Sequence, residues 1–463
     1  MLIFYRLKGY ALRLILFVLP ALLLIFSACA NHAADNQFYE KALSDHFCSE
    51  SFFKAEQKRM DSNKDIIYTG LNAGAIARNC QDFNTSNDFL DKAEEAYKYD
   101  VDLEGLGSKG ARLVGSALVN EAVFDYQGTL YERIMVNVYK GLNFMSLNDF
   151  ENARVEFNRA LMRQDKAKEY FASQIAASRA EFEEAKKTQN FDENMQQNYE
   201  NVLSQYDHLL KDFDTSKNFI NPYATYTAAL FFFLDKDYTR AVDLLKEVAV
   251  INSRSAEFKK EFRVFNQYAS STNPQRLQKY IFVVYESGFG AGLDELSFTL
   301  PFIFDDNLIT SSFALPTLKK RENSFSYLLA NETKTSQFVS FDDVIATEFK
   351  TELASKITKA ISSTILKTTL NAAVAKNDPT GGLLSMASSI VTASTSRADV
   401  RFWNALPKFA SVAMIENNGE LVIKSDDGRI LYTNNEINKD KNAMLVIRSY
   451  LRYLPNAFYL IQP

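Results

Sequence analysis

The chain has 463 residues, 47% of them hydrophobic and 13% aromatic, enough apolar surface for one large folded body or two to three smaller ones and too much for a disordered chain. Its formal net charge of −5 argues against general nucleic-acid binding, which needs a clustered excess of Lys and Arg. The residue pattern shows no metal site, no cofactor motif and no small-molecule substrate site.

At the amino terminus, Arg6, Lys8 and Arg13 precede the apolar run Leu14 to Phe26, which ends at Ser27, Ala28 and Cys29. A basic stretch, a short greasy segment and small residues before a cut are the layout of a signal peptide; a permanent span needs about 20 apolar residues. Residues 1–28 are therefore expected to leave the mature chain, whose formal charge becomes −8 on loss of the three basic residues. Phe26-Ser27-Ala28-Cys29 resembles the bacterial lipobox, although Phe26 stands where Leu is usual. That resemblance implies a lipid-modified Cys29 as the first mature residue. With Ala30 rather than Asp after the Cys, it also implies an outer-membrane address, with the body facing the periplasm. Acyl chains contribute about 0.8 kcal/mol per buried methylene, so several on one Cys hold without a transmembrane helix.

Residues 29–36 are read as a linker. Beyond Cys29, the remaining cysteines are Cys48 and Cys80. They could form one disulfide, which an exported compartment permits, or serve as small buried hydrophobes.

Residues 37–272 read as helical almost throughout, rich in Ala, Glu, Lys, Leu and aromatics and poor in Pro and Gly. One spacing recurs, best seen in Gly141, Phe144, Ala153, Phe157 and Ala160 with a turn at Leu147-Asn148-Asp149. It reappears as Ala229, Phe232, Ala241, Leu245 and Val248 around the turn Asp235-Lys236-Asp237. A weaker copy is Gly74, Ala77, Ser86, Leu90 and Ala93. This spacing resembles the tetratricopeptide repeat, in which small residues sit where two helices touch and large ones fill the groove between hairpins. The copies are too far apart for a regular array. One insertion is legible: residues 160–187 and 193–213 form two long charged segments that look like a protruding helical hairpin.

From Asn273-Pro274 the texture changes, and residues 273–463 read as an α+β region with strands within 280–318, helices within 341–394 and a small antiparallel sheet within 411–461. Between the first strands, Gly288-Phe289-Gly290-Ala291-Gly292 has its third glycine at the wrong offset for a dinucleotide fingerprint and no helix after it, and is read as a flexible loop. Phe341, Ile345, Phe349, Leu353, Ile357, Ile361 and Ile365 trace an apolar stripe along a helix of about 30 residues that should pack on the sheet. A second helix is expected from Leu383 to Ser394. The last strands are expected at Ser411 to Ile415, Leu421 to Lys424, Arg429 to Thr433 and Met444 to Tyr450, with Asn417-Asn418-Gly419 and Asp426-Asp427-Gly428 as hairpin turns. Trp403 is read as a core anchor between helices and sheet.

The fold class is thus mainly α, a tetratricopeptide-like domain followed by a smaller α+β region. The order of parts resembles an uncharacterised family of bacterial envelope lipoproteins. The resemblance rests on Val136-Asn137-Val138-Tyr139-Lys140-Gly141-Leu142-Asn143, on Val284-Tyr285-Glu286-Ser287-Gly288, and on Ala398-Asp399-Val400-Arg401-Phe402-Trp403 with Leu406-Pro407. It implies the company of other envelope lipoproteins and carries no activity with it.

Candidate chemistry is sparse, and no catalytic residue is assigned. Asp45-His46-Phe47-Cys48 puts a base beside a thiol, but a nucleophile also needs an oxyanion site. Asp305-Asp306 and Asp342-Asp343 are paired acids, which at helix starts and in loops usually cap or solvate. The reading from sequence is a membrane-tethered scaffold that binds envelope proteins through a helical groove. The alternatives are an assembly chaperone for surface or outer-membrane machinery and a carboxylate-dependent cell-wall glycan enzyme.

Overall fold

The computed structural model describes residues 32–97, 125–187, 193–215, 221–304, 307–376 and 397–463. Its N-terminal part is helical: α1 (His32–Ser44), α2 (Glu50–Asp61), α3 (Ile66–Asn79), α4 (Phe83–Tyr97), α5 (Leu130–Ser146), α6 (Phe150–Lys187), α7 (Glu193–Leu209), α8 (Pro222–Leu234), α9 (Tyr238–Ile251) and α10 (Ala256–Ser270). Residues 32–36, expected as linker, are instead the first turn of α1, because Asn36 is buried and bonded on three sides.

The three sequence copies fall on three helical hairpins, α3–α4, α5–α6 and α8–α9, closed by one kind of turn. Gln81, Asn148 and Lys236 take φ of 62, 60 and 67°. The next residue is each time an Asp: 82, 149 and 237. Its N–H donates to the carbonyl five residues back, of Ala77, Phe144 and Phe232. Its Oδ1 accepts from the N–H three residues on, of Thr85, Asn152 and Arg240, so one residue closes the turn and caps the next helix. Small residues permit the close approach. A Cβ at Gly141 would stand 2.8 Å from the Phe157 ring, and one at Gly74 2.8 Å from Leu90. Ala153, Phe157, Ala160, Ala229, Phe232, Ala241 and Leu245 are fully buried, while Phe144 packs half-buried at the core's edge.

The sheet-rich part holds β1 (Tyr280–Ser287), β2 (Gly292–Phe304), β3 (Asn307–Lys319), β4 (Leu328–Ala330), β5 (Thr333–Lys334), β6 (Ser336–Ser340), then α11 (Phe341–Lys376), then β7 (Phe409–Glu416), β8 (Leu421–Ser425), β9 (Ile430–Asn434), β10 (Ala443–Ser449) and β11 (Ala457–Ile461). A five-stranded sheet runs β11-β10-β1-β7-β6, and a four-stranded one runs β5-β4-β8-β9. The expected single antiparallel sheet over 411–461 is therefore corrected: β7 and β10 belong to one sheet, β8 and β9 to the other, and β10 pairs parallel with β1. Alternation marks a strand but not its neighbour.

Both faces of the five-stranded sheet are covered, which is why its central strands read as continuous apolar runs rather than alternating ones. Phe282, Val284, Val412, Met414, Met444 and Val446 join the core of the helical layer, which extends unbroken from Tyr39 to Ile461. Ile281, Val283, Tyr285, Leu445 and Ile447 face the four-stranded sheet through Phe325, Leu328, Leu421 and Ile423. Helical layer, sheet and second sheet are three layers of one body.

The insertion is built differently from the hairpin expected at 160–213. The second helix of the middle repeat copy does not stop at Ala160 but continues through α6 to Lys187. Helix α11 packs along α6, α7 and β3 and only marginally on the five-stranded sheet, so of the strands expected within 280–318 its stripe meets the β2–β3 pair, with helices on its other sides. Strands β2 and β3 form a separate two-stranded ribbon. Phe349, Leu353, Ile357 and Ile361 of the stripe are buried. Ile365 and the helix expected at 383–394 lie outside the residues whose burial or structure is described.

Candidate functional site

Because a helical groove was the expected partner site, its contents decide the functional question. Side chains of the helical part hold a segment of the chain itself. Residues 398–407 form an extended strap without secondary structure, buried along nearly its whole length. A buried strand outside a sheet has no ladder to satisfy its backbone, so each N–H and C=O must find another partner.

The helices supply those partners with side chains. Asn36 Nδ2 donates to Val400 O at 2.7 Å, Trp403 N donates to Glu132 Oε1 at 2.7 Å, and Asn404 N donates to Asn72 Oδ1 at 3.0 Å. Asn404 Nδ2 donates to Asn36 Oδ1, which also accepts from Tyr68 Oη. On the other side, Arg321 donates to Asn404 O at 3.0 Å, Arg448 to Ala405 O at 2.9 Å, and Gly290 N to Leu406 O at 2.8 Å. Glu132 serves twice, since its Oε2 closes the capping box of α5 with Thr129 while Oε1 holds the strap. Burial raises its carboxyl above the ordinary range.

Charge is neutralised in place. Arg401, 2% exposed, is held by Asp399 and by Asp65 of the α2–α3 turn and lies over the Tyr126 ring. Arg321 sits between the rings of Phe289 and Phe402, each centroid 4.9 Å away. Burial pulls its pKa down to about 10 against the upward effect of Glu40. Trp403 is buried and packs edge-on against Tyr139 of α5 at 5.5 Å. Arg448 lies 3.8 Å from Glu286, which also accepts from Tyr223 Oη. The three strings behind the family resemblance thus meet at one seam: Tyr139 from the first, Glu286 and Gly288 from the second, Trp403 and its neighbours from the third.

A second buried network braces the groove wall. Lys140, 2% exposed at its side chain, is 2.6 Å from both Asp91 and Glu94 and 3.1 Å from Glu156, and Arg163 reaches Glu94 at 2.9 Å. Burial pushes the Glu94 carboxyl up, but Lys140 and Arg163 overcome it and hold the group at about 2. On α11, Glu348 accepts from Leu130 N and Tyr131 N, the first turn of α5. Burial and then Glu352 push it up to about 8.

The other residues singled out in the sequence are committed to structure. Cys48 and Cys80 are disulfide-bonded with their Cα atoms 5.6 Å apart, so Cys48 is no thiol beside His46. His46 instead lies 2.9 Å from Asn79. Asp342 accepts from Ala291 N at 2.7 Å and pairs with Lys408 at 2.9 Å. The glycine loop is not flexible: residues 288–292 are buried, and the amides of Gly288, Phe289, Gly290 and Ala291 are spent on Ser449 O, Glu322 O, Leu406 O and Asp342. A Cβ at Gly288 would meet Asn323 at 2.6 Å and one at Gly290 the carbonyl of Pro407 at 2.7 Å. Cys29 and Asp305-Asp306 lie outside the described residues. Among the described residues no helix is long and apolar enough to cross a membrane, and no group of three or more His, Cys, Asp or Glu could hold a metal.

Sequence reasoning expected a protruding helical hairpin at 160–213 but not that α11 and the β2–β3 ribbon join α6 and α7 in one unit. Helices α6 and α11, of 38 and 36 residues, are about 55 Å long at 1.5 Å per residue. The 13-residue strands of the β2–β3 ribbon reach about 44 Å. The strands of the five-stranded sheet have 5–8 residues, at most about 27 Å. Together with α7, these long elements pack on one another as one group, the arm. Inside the arm, Phe298 and Phe313 pair across the ribbon and stack at 5.5 Å, and Tyr206 of α7 stacks on Phe298 and donates to Pro316 O at 2.6 Å. On the opposite face of the ribbon, Ser297, Thr299, Thr310 and Ser312 are exposed.

No family model, no curated protein and no solved structure matches this chain.

Proposed function

We propose that the chain is an exported lipoprotein, anchored in the outer membrane through Cys29, and that it acts without catalysis as an interaction scaffold for an envelope assembly. Its three helical hairpins are read as tetratricopeptide-like units with an irregular spacing. The disulfide Cys48–Cys80 supports export, since such bonds persist in oxidising compartments and are rare where thiols are kept reduced.

The observation that carries the scaffold reading is the strap. Tetratricopeptide-type grooves hold extended segments, and here side chains of the helices hold the backbone of residues 398–407 in that manner. With its own segment in the groove, the chain's partner surface is the arm of α6, α7, α11 and the β2–β3 ribbon.

The test is crosslinking in intact cells followed by affinity capture and mass spectrometry, comparing the native chain with Cys29→Ser and with lipoprotein processing blocked. A recurrent envelope protein captured only with the lipidated form is the expected outcome. Identical capture from Cys29→Ser, or none from either form, would remove the anchored-scaffold reading.

A further inference from the structure

Resting on the reading of Cys29 as the lipidated residue, we infer that the bilayer itself is a docking surface for one defined face of the body, centred on the start of α1. Only Ala30 and Asn31 separate Cys29 from His32, the first residue of that helix. Three residues span at most about 10 Å. A longer linker would let the body tumble freely at a distance, whereas this one ties a fixed point of the fold to the headgroups.

The point is fixed because α1 is not a loose end. His32 is 5% exposed and Asn36 8%. Asn36, one turn on, is bonded to Tyr68, Val400 and Asn404, so α1 is locked into the strap seam from its first turn. What the tether brings to the membrane is therefore the strap end of the molecule: Ala33 and Ala34 on α1, Arg59 beside Asp35 at 3.3 Å, the α2–α3 turn with the exposed Lys64, and the exposed Arg397 at the head of the strap. These residues would meet headgroups, with basic side chains favoured by an anionic surface.

Trp403 is the only tryptophan, and its neighbour Asn404 contacts Asn36 at 3.1 Å. It therefore reports the distance of this face from the bilayer. The experiment reconstitutes the lipidated protein in vesicles carrying dansyl-labelled phosphatidylethanolamine and measures energy transfer from Trp403 to the dansyl groups. It is repeated with 10 and with 20 Gly/Ser residues inserted between Ala30 and Asn31; the longer spacer has a mean reach of about 25 Å. An unchanged Trp403 emission maximum in detergent shows that the spacer variants keep the fold.

High transfer with the native tether, a graded fall through the 10-residue spacer and a drop of at least about twofold with the 20-residue spacer are expected. If all three proteins float with the vesicles but transfer does not depend on spacer length, the body is not held by its tether at this face, and the inference falls while the anchor stands. If the native protein does not float with vesicles, or floats as well after Cys29→Ser, the anchor and the inference fall together.

Discussion

Body and arm satisfy their surfaces in opposite ways. In the body, both faces of the five-stranded sheet are covered, helix side chains hold the chain's own strap, and the charges of Lys140, Glu94, Arg401 and Glu286 are buried against partners. In the arm, the β2–β3 ribbon is packed on one face, by Phe298, Leu300, Phe313 and Leu315, and leaves Ser297, Thr299, Thr310 and Ser312 exposed on the other. Among the described residues, the body leaves only scattered large apolar side chains exposed, Val250, Ile430 and Tyr453 among them. A region that leaves a long face open has the geometry for a partner.

The comparison is sharpest where the body's charges are cut. Lys140→Met removes the cation that Glu94 and Glu156 share and leaves them only Arg163 and Arg159, and is expected to destabilise the fold by about 2–4 kcal/mol in urea unfolding. A change below about 1 kcal/mol would mean that the network is not the brace described.

Acid comes next in size. The Glu94 carboxylate, at about 2 in the fold and about 4.5 when unfolded, contributes stability that is complete above pH 4.5 and is lost as pH falls towards 2, on the order of 3 kcal/mol. Glu348, raised to about 8, has the opposite sign. Its neutral form favours the fold, so its contribution is complete below about pH 4.5 and is lost as pH rises through 8. Glu348→Gln should reduce that second slope, to which Glu132 and Glu261, also raised by burial, contribute, and leave the first, as measured by unfolding between pH 3 and 9.

That opposition was hidden in the sequence, and the reason is distance along the chain. The repeat hairpins were legible because their determinants are local: small residues at fixed spacing, and turns ending in Asp at 149 and 237. Strand positions were legible for the same reason, apart from the short β4, β5 and β6 and the closing β11. The strap was not, since Asn36, Asn72 and Glu132 meet residues 364, 332 and 271 positions away, and a polar residue on a helix reads as surface until its partner is known. The joining of α11 and the β2–β3 ribbon to the helices expected at 160–213 was hidden likewise. The stripe of α11 correctly marked a buried face but carried no information on whether sheet, ribbon or helices cover it. A cue that could have found the strap is present in hindsight: a run of ten residues at 398–407 rich in apolar side chains, without strand or helix periodicity, has to be buried by something else.

Smaller effects belong to the arm. Tyr206→Phe removes the donor to the carbonyl of Pro316 and is expected to cost about 1–2 kcal/mol, detectable as faster amide exchange in β2 and β3 while the body is unchanged. Thr299→Val, on the exposed face beside Ser312, should change stability by no more than about 0.5 kcal/mol and should act on partner capture alone.

The most direct test of the account places a photo-crosslinking amino acid at Thr299 or Asn201 of the arm and, for comparison, at Thr433 on the outer strand of the four-stranded sheet, in cells producing the lipidated chain. The account predicts that one envelope protein is trapped from Thr299 and Asn201 and not from Thr433. Trapping from Thr433 alone would contradict the assignment of the arm as the partner surface.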